Sequence, residues 1–297
     1  MSAVDEHASS SRHARTIKRE VGLEGLGLFT GEKVCLKLKP AEEGAGIFFT
    51  RTDLPGNPRL QASIDNVIDT PRCTILGCKE FQIQTVEHVL SAIKAYNIDN
   101  IEIEVNGSEV PSCDGSAFPF VELIENAGVV SQRGLKKVFH LDSPVFWTKG
   151  NVQLVALPSE EFRISYTLSY PNSDSDILKA QFYTIHLNEA SYKEEIAKAR
   201  TFSPYDEVVP LIEAGKIKGG RLDNAVIIKG NKILNPEGVR YEDEMVRHKI
   251  LDLVGDLCLM QHCFLAHVIA IRSGHFSNTS FAKELINHFD MEMARHG

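Results

Sequence analysis

Several features are scarce in this 297-residue chain. It has one tryptophan and no low-complexity tract, which excludes collagen-like, coiled-coil and prion-like architectures. Its six cysteines (Cys35, Cys73, Cys78, Cys113, Cys258 and Cys263) contain no CxxC pair, and a chain of this size needs no disulfide staples. Buried free thiols of a reducing cytoplasm are therefore expected, and a cysteine metal site is not. Long apolar runs are missing too. The longest, residues 263–271, falls far short of the ~20 residues that span a bilayer. Residues 1–10 lack an apolar core and carry Asp5 and Glu6, so neither a secretory signal nor a transit peptide is expected. Basic charge is in deficit: 32 Lys and Arg face 40 Asp and Glu, a net charge of −8, which argues against nucleic acid as a partner.

What is present is ordinary for a globular protein, with 43% hydrophobic and 24% charged residues. Residues 33–39 and 100–105 alternate polar and apolar and predict strands. Val86, Val89, Leu90, Ile93 and Ala95 recur at helical spacing and predict an amphipathic helix at about 85–97. A second helix is expected over 116–127, and residues 127–136, with two glycines, read as an exit loop. Strands are expected again over 137–147 and 152–169, helices at 189–199 and 205–214, and a short strand at 225–228. The strongest helical pattern covers 241–262. Strands followed by a helix occur twice, so two α+β domains are expected, meeting near residues 130–137.

Three polar constellations stand out. On the 241–262 helix, Glu244, His248, Asp252 and Asp256 follow one another at steps of four and share one face, each step drifting only ~40°. A His and an Asp so spaced can share one metal ion. Taken alone, the stripe favours a solvated acidic face, with Arg247 and Lys249 available for ion pairs. Next, Glu87 and His88 are adjacent on the 85–97 helix; alone, they favour a core histidine beside a surface carboxylate. Third, His275 follows Gly274 just after an apolar strand and reads as an exposed loop histidine. His7, His13, His140, His186, His262, His267, His288 and His296 sit in no comparable cluster and are assigned no role. A hydrolytic zinc site wants three protein ligands, an open position, a carboxylate base and an acid for the leaving amine. The parts are present, but spacing alone does not join such distant segments.

Further segments carry a resemblance. They are Gly25-Leu-Gly-Leu-Phe-Thr-Gly31, Thr85-Val-Glu-His88, residues 99–105, and Asp114-Gly-Ser-Ala-Phe-Pro-Phe-Val121. Later come Ala199-Arg-Thr-Phe202, Gly219-Gly220 with Asn224-Ala225, residues 235–241, Val246-Arg-His-Lys-Ile-Leu-Asp252, Gly255-Asp256 and Ser273-Gly-His275. In this order, over about residues 14–290, they resemble the zinc-dependent UDP-3-O-acyl-N-acetylglucosamine deacetylases of lipid A biosynthesis.

The resemblance implies an α+β protein of two domains, each a two-layer α/β sandwich, with the active site at their interface. A flexible extension would cover 1–13, the first domain 14–132 and the second 133–297, with an acyl-passage insert at about 210–234. It implies removal of the N-acetyl group of UDP-3-O-(3-hydroxyacyl)-N-acetylglucosamine, with release of acetate, by a cytoplasmic monomer. One zinc per chain is expected, with iron(II) as the alternative. His88, His248 and Asp252 become the metal ligands, Glu87 the general base and His275 the general acid or cationic stabiliser, oriented by Asp256. Thr201 would stabilise the oxyanion; Lys249, Phe202 and Ile217 would contact substrate, and Ile212, Leu222 and Val226 are further candidates for lining the passage. The chain departs from the family pattern at Phe29, usually His, and at Phe276-Ser-Asn-Thr-Ser280, usually x-Leu-Asn-x-Lys; Arg221 replaces a small residue. A non-catalytic binding protein and a zinc hydrolase of another N-acyl substrate are the competing readings.

Overall fold

The computed structural model describes residues 10–296. Two five-stranded sheets frame the molecule. The first has the order Val21–Leu26, Lys33–Pro40, Ile101–Val105, Ile47–Arg51, Arg59–Gln61. The second has the order Val145–Lys149, Val152–Leu157, His267–Ile271, Arg163–Leu168, Gln181–His186. Both are antiparallel apart from one parallel pair each, where the strand latest in the chain lies beside the third. The expected period of two holds: Val34, Leu36, Leu38, Ile101, Ile103 and Val105 are buried, while Lys33 and Lys37 are exposed. The α+β class expected from the pattern is the one adopted.

Among the described residues there are seven α-helices. They are α1 (Glu87–Ala95), α2 (Phe118–Ala127), α3 (Asp176–Lys179), α4 (Glu189–Ser191), α5 (Tyr205–Glu213), α6 (Glu244–Cys258) and α7 (His275–His296). Helix α1 packs on α2, α6 packs on α7, and α1 meets α6 at the centre. This central packing alters the reading of both helices. In α1 every residue but Lys94 is buried, and in α6 every residue but Arg247 and Lys249. The one-sided helix predicted at 85–97 is thus covered on all sides. Gly255 permits the contact: a Cβ there would lie 2.1 Å from the carbonyl oxygen of Glu87, a clash with backbone.

The structure differs from expectation in several places. Residues 129–140 are not a loop but a long strand, antiparallel to Ser11–Ile17 and parallel, over Val138–His140, to Cys263–Leu265. The N-terminal strand supplies the ladder partners, and Gly128, at φ +74°, turns the chain out of α2. Ser11–His13, expected within a flexible extension over 1–13, belong to the N-terminal strand, and residues 1–9 lie outside the described residues. The 189–199 helix is one α-turn followed by a π-helical stretch, Tyr192–Ile196, marked by Ala197 N bonding Tyr192 O at 2.8 Å. Helix α6 is shorter than 241–262 at both ends. The apolar run 263–271 splits into two strands, and no helix among the described residues is long and apolar enough to cross a membrane. All six thiols are free; Cys73 and Cys258 are buried, whereas Cys78 is exposed.

Candidate active site

Glu87 and His88 open α1, and the segment that aims them is strained. Thr85, a β-branched residue, has φ +61°, a conformation costing roughly 1–3 kcal/mol. Its hydroxyl donates to Glu109 Oε1 at 3.1 Å. Glu109 is fully buried and also accepts from Phe29 N, Thr30 N and Thr30 Oγ1 at 2.9, 2.8 and 2.7 Å. One carboxylate thus ties the start of α1 to the Gly27–Gly31 loop. Phe29, the departure from the family pattern, takes part here through its backbone and does not line the cleft described below.

The polar stripe of α6 is not solvated. Glu244, His248, Asp252 and Asp256 are 0–3% exposed, because α1 and its neighbours cover that face. Glu244 serves a purpose apart from the other three. It accepts from Arg200 N and Arg200 Nε, both at 2.9 Å, in a buried ion pair. Removing one partner of such a pair costs ~3–5 kcal/mol. The pair fixes the chain next to Thr201, whose backbone bridges Gly115 O and Val226 N at 2.8 Å each.

His88, His248 and Asp252 converge. Their ligand atoms lie within 4.8 Å of one another, and all three residues are buried. Asp252 Oδ1 is 3.3 Å from His248 Nε2 and 3.8 Å from His88 Nε2. Tetrahedral zinc with bonds of about 2.0–2.2 Å sets its ligand atoms roughly 3.3–3.6 Å apart, so the set fits a zinc-type ion. The tautomer fits as well: His248 Nδ1 donates to Ala199 O at 3.0 Å, which leaves the Nε2 lone pair for a metal. His88 Nδ1 is buried with no hydrogen-bond partner among the described residues. Burial, and then the facing His248, lower the His88 pKa to about 3; burial also lowers that of His248, so both imidazoles are neutral at pH 7. Burial opposes ionisation of Asp252, but His248, Lys249, His275 and His88 together hold it well below the usual carboxylate range.

Two titratable groups flank this trio. Glu87 is raised to about 7, chiefly by burial; His275 works against that rise, and Asp252 and Asp256 add to it. His275 is not in a loop but is the first residue of α7. Burial disfavours its charge, yet Asp256, 2.9 Å from Nδ1, raises its pKa to about 9. At pH 8 the site therefore holds a basic carboxylate opposite an acidic imidazolium.

Three supporting residues escaped the sequence reading. Thr74 donates its backbone N–H to Glu87 Oε2 at 3.0 Å and its hydroxyl to Asp256 Oδ1 at 2.6 Å, coupling the two groups. Asn278 donates to Asp256 Oδ2 at 2.8 Å. Tyr166 donates to Ser273 O at 2.5 Å, anchoring the turn before α7. The departure at 276–280 falls in the first turns of α7, where Ser277 Oγ accepts from Gly274 N at 2.8 Å and caps the helix.

The site opens into a cleft of about 440 Å³ lined by Glu87, His88, Thr201, Phe202, His248, Lys249, Asp252 and His275. Arg72, Trp147, Lys149, Tyr170 and Arg272 also line it. Lys249 Nζ bonds Asp252 Oδ2 at 2.7 Å, and the Phe202 ring lies 6.3 Å from that of His248. Ile217 does not line this cleft; it lies against Gly220. Ile212 and Leu222 are 52% and 42% exposed, and Val226 is fully buried in a strand.

Comparison with known proteins agrees in one direction. Residues 14–287 match the family model described as UDP-3-O-acyl N-acetylglycosamine deacetylase. The chain is 43% identical over 281 residues to the UDP-3-O-acyl-N-acetylglucosamine deacetylase of Chlamydia pneumoniae, covering 94% of this chain and 99% of that protein. It is 40% identical over 275 residues to the enzyme of that name from Chlamydia caviae, covering 93% and 97%.

Proposed function

The chain belongs to the UDP-3-O-acyl N-acetylglycosamine deacetylase family, and from that premise we propose how its residues carry out the reaction. The enzyme hydrolyses the N-acetyl group of a UDP-3-O-acyl-N-acetylglucosamine in lipid A biosynthesis and releases acetate. The observation that carries our account is the trio His88, His248 and Asp252, flanked by an acid and a base of opposite habit. The trio would hold one zinc ion, which when bound supplies Lewis-acid polarisation of the amide carbonyl and a more acidic attacking water.

Glu87 takes the proton of the water as it attacks the carbonyl carbon. The Thr201 hydroxyl donates to the oxyanion that develops. His275, protonated and held at Nδ1 by Asp256, donates from Nε2 to the amine nitrogen as the C–N bond breaks. Lys249 holds Asp252 in place and sits beside the scissile amide, with Phe202 along the sugar. Arg72, Lys149 and Arg272 give the cleft a basic lining suited to a diphosphate, so the net charge of −8 is no obstacle.

Glu87 and His88 come from the half that holds the first sheet, and the remaining catalytic and ligand residues from the half that holds the second. This division supports two domains parting near residue 132. The apolar side chains of 210–234, Ile212 and Leu222 exposed among them, suit an acyl passage beside the cleft, with Ile217 in its wall. We read the chain as a cytoplasmic monomer. The test is acetate release from the UDP-sugar substrate. Turnover is expected with one zinc per chain, its loss after chelation, and recovery when zinc is restored; full turnover in metal-free protein would overturn the account.

A further inference from the structure

Four Lys and Arg side chains line the cleft, and three of them, Lys149, Lys249 and Arg272, come from the second half. Lys249 is committed to Asp252, and Lys149 Nζ lies 4.4 Å over the Phe276 ring. Arg72 is the contribution of the first half. It stands in residues 70–74, the segment whose Thr74 holds Glu87 and Asp256. Pro71 fixes the backbone ahead of it, and Arg72 itself has φ +68°, a left-handed conformation that costs any residue with a Cβ. The chain then runs inward to the buried Cys73 and Thr74, while the Arg72 side chain remains beside the cleft.

Arg72 Nη2 donates to Glu207 Oε2 at 2.9 Å, in the first turn of α5. The two side chains are 47% and 46% exposed, and an ion pair so exposed contributes little to folding stability. Its position gives it another use. Glu207 lines a neighbouring hollow of about 340 Å³, which shares Tyr170 and Arg272 with the cleft. The Arg72–Glu207 contact therefore stands at the boundary of the two hollows and joins the first half to the second there.

We propose that Glu207 is an internal competitor for Arg72, displaced by the substrate's diphosphate, so that the pair determines specificity for a phosphorylated ligand. This rests on the reading of the substrate as a UDP-sugar. A guanidinium offers five N–H donors in a planar fork that matches phosphate oxygens. A diphosphate presents oxygens on two phosphorus atoms and more negative charge than one carboxylate, so exchange favours it. A ligand without phosphate has nothing to offer Arg72 and leaves the pair closed. Once exchanged, the diphosphate is held from both halves, by Arg72 of the first and Arg272 of the second.

The test compares zinc-loaded wild type, Arg72→Gln and Glu207→Gln by calorimetric titration with UDP and by initial rates on the UDP-sugar. Arg72→Gln should weaken UDP binding and raise KM about tenfold or more, as expected for loss of a charge-assisted contact, with kcat little changed. Glu207→Gln should act in the opposite direction, with UDP bound up to about fivefold more tightly and KM lowered, because nothing then occupies Arg72. A pair that only braced the fold would be lost equally in both variants. Effects of the same sign in the two, or UDP affinity unchanged in both, overturn the inference while leaving the UDP-sugar reading intact. Failure of the wild type to bind UDP overturns that reading and the inference with it.

Discussion

The two halves of the molecule share one plan. In each sheet the strands, counted along the chain, lie in the order first, second, fifth, third, fourth, with a single parallel pair at the same place. In each half a helix precedes the inserted strand and another follows it: α1 and α2 in the first half, α6 and α7 in the second. The chemistry is nevertheless divided unequally. The first half contributes two adjacent residues from the opening turn of α1. The second contributes a stripe running down α6 and the first residue of α7. A helix end aims adjacent side chains toward one point beyond the helix, whereas the middle of a helix must use i, i+4 spacing. Because α1 and α6 lie against each other, the end of one reaches the flank of the other, and neither half holds the complete site.

The division can be tested, beginning with the largest effect. Glu87→Gln keeps the shape of the first half's contribution but removes its base. Acetate release should fall ~10²–10⁴-fold with zinc content unchanged. Gly255→Ala attacks the contact between the halves. The added Cβ meets Glu87 backbone at 2.1 Å, so α1 must shift. Destabilisation of about 1–3 kcal/mol in denaturant melts and a loss of ~10²-fold in rate are expected.

Asp256→Asn tests the second half's acid. In the proposed mechanism, activity requires Glu87 unprotonated and His275 protonated. It should rise with pH toward about 7, or lower once the nearby cation favours the carboxylate, and fall above about 9. Without Asp256 the proton on His275 is held less tightly, so the falling limb of the pH–rate profile should move to lower pH. An unmoved limb would remove His275 from the role of acid. Thr74→Val is the mildest change. It deletes the hydroxyl bond to Asp256 and leaves the backbone bond to Glu87, so a severalfold loss in rate and about 1–3 kcal/mol in stability are expected.

The limits of the sequence reading follow from the same packing. The strands 33–40 and 101–105 were legible because each buries one face and so alternates. The stripe on α6 was visible as spacing, but its burial was not, since the helix that covers it lies some 150 residues earlier in the chain. Residues 129–136 read as a loop because their ladder partner is the N-terminal strand 11–17, more than a hundred residues away, and Gly134 interrupts what alternation the segment shows. The proposed metal ligands were placed by resemblance; their convergence is tertiary. Thr74 and Glu109 had no signal at all, and Asn278, which keeps the Asn of the family pattern after His275, was assigned no role. Thr74 and Asn278 act through hydrogen bonds to carboxylates distant in sequence, and Glu109 as a carboxylate accepting from distant donors; such bonds leave no periodic pattern.

The central claim is that one metal is held jointly by both halves. The most direct test is zinc content per chain for two single variants, His88→Ala from α1 and His248→Ala from α6, measured after dialysis against a mild chelator. The account predicts that each variant loses the tightly held ion and, with it, turnover. Retention of zinc by His88→Ala as tightly as by wild type would show that α6 holds the metal without the first half, and would contradict the shared site.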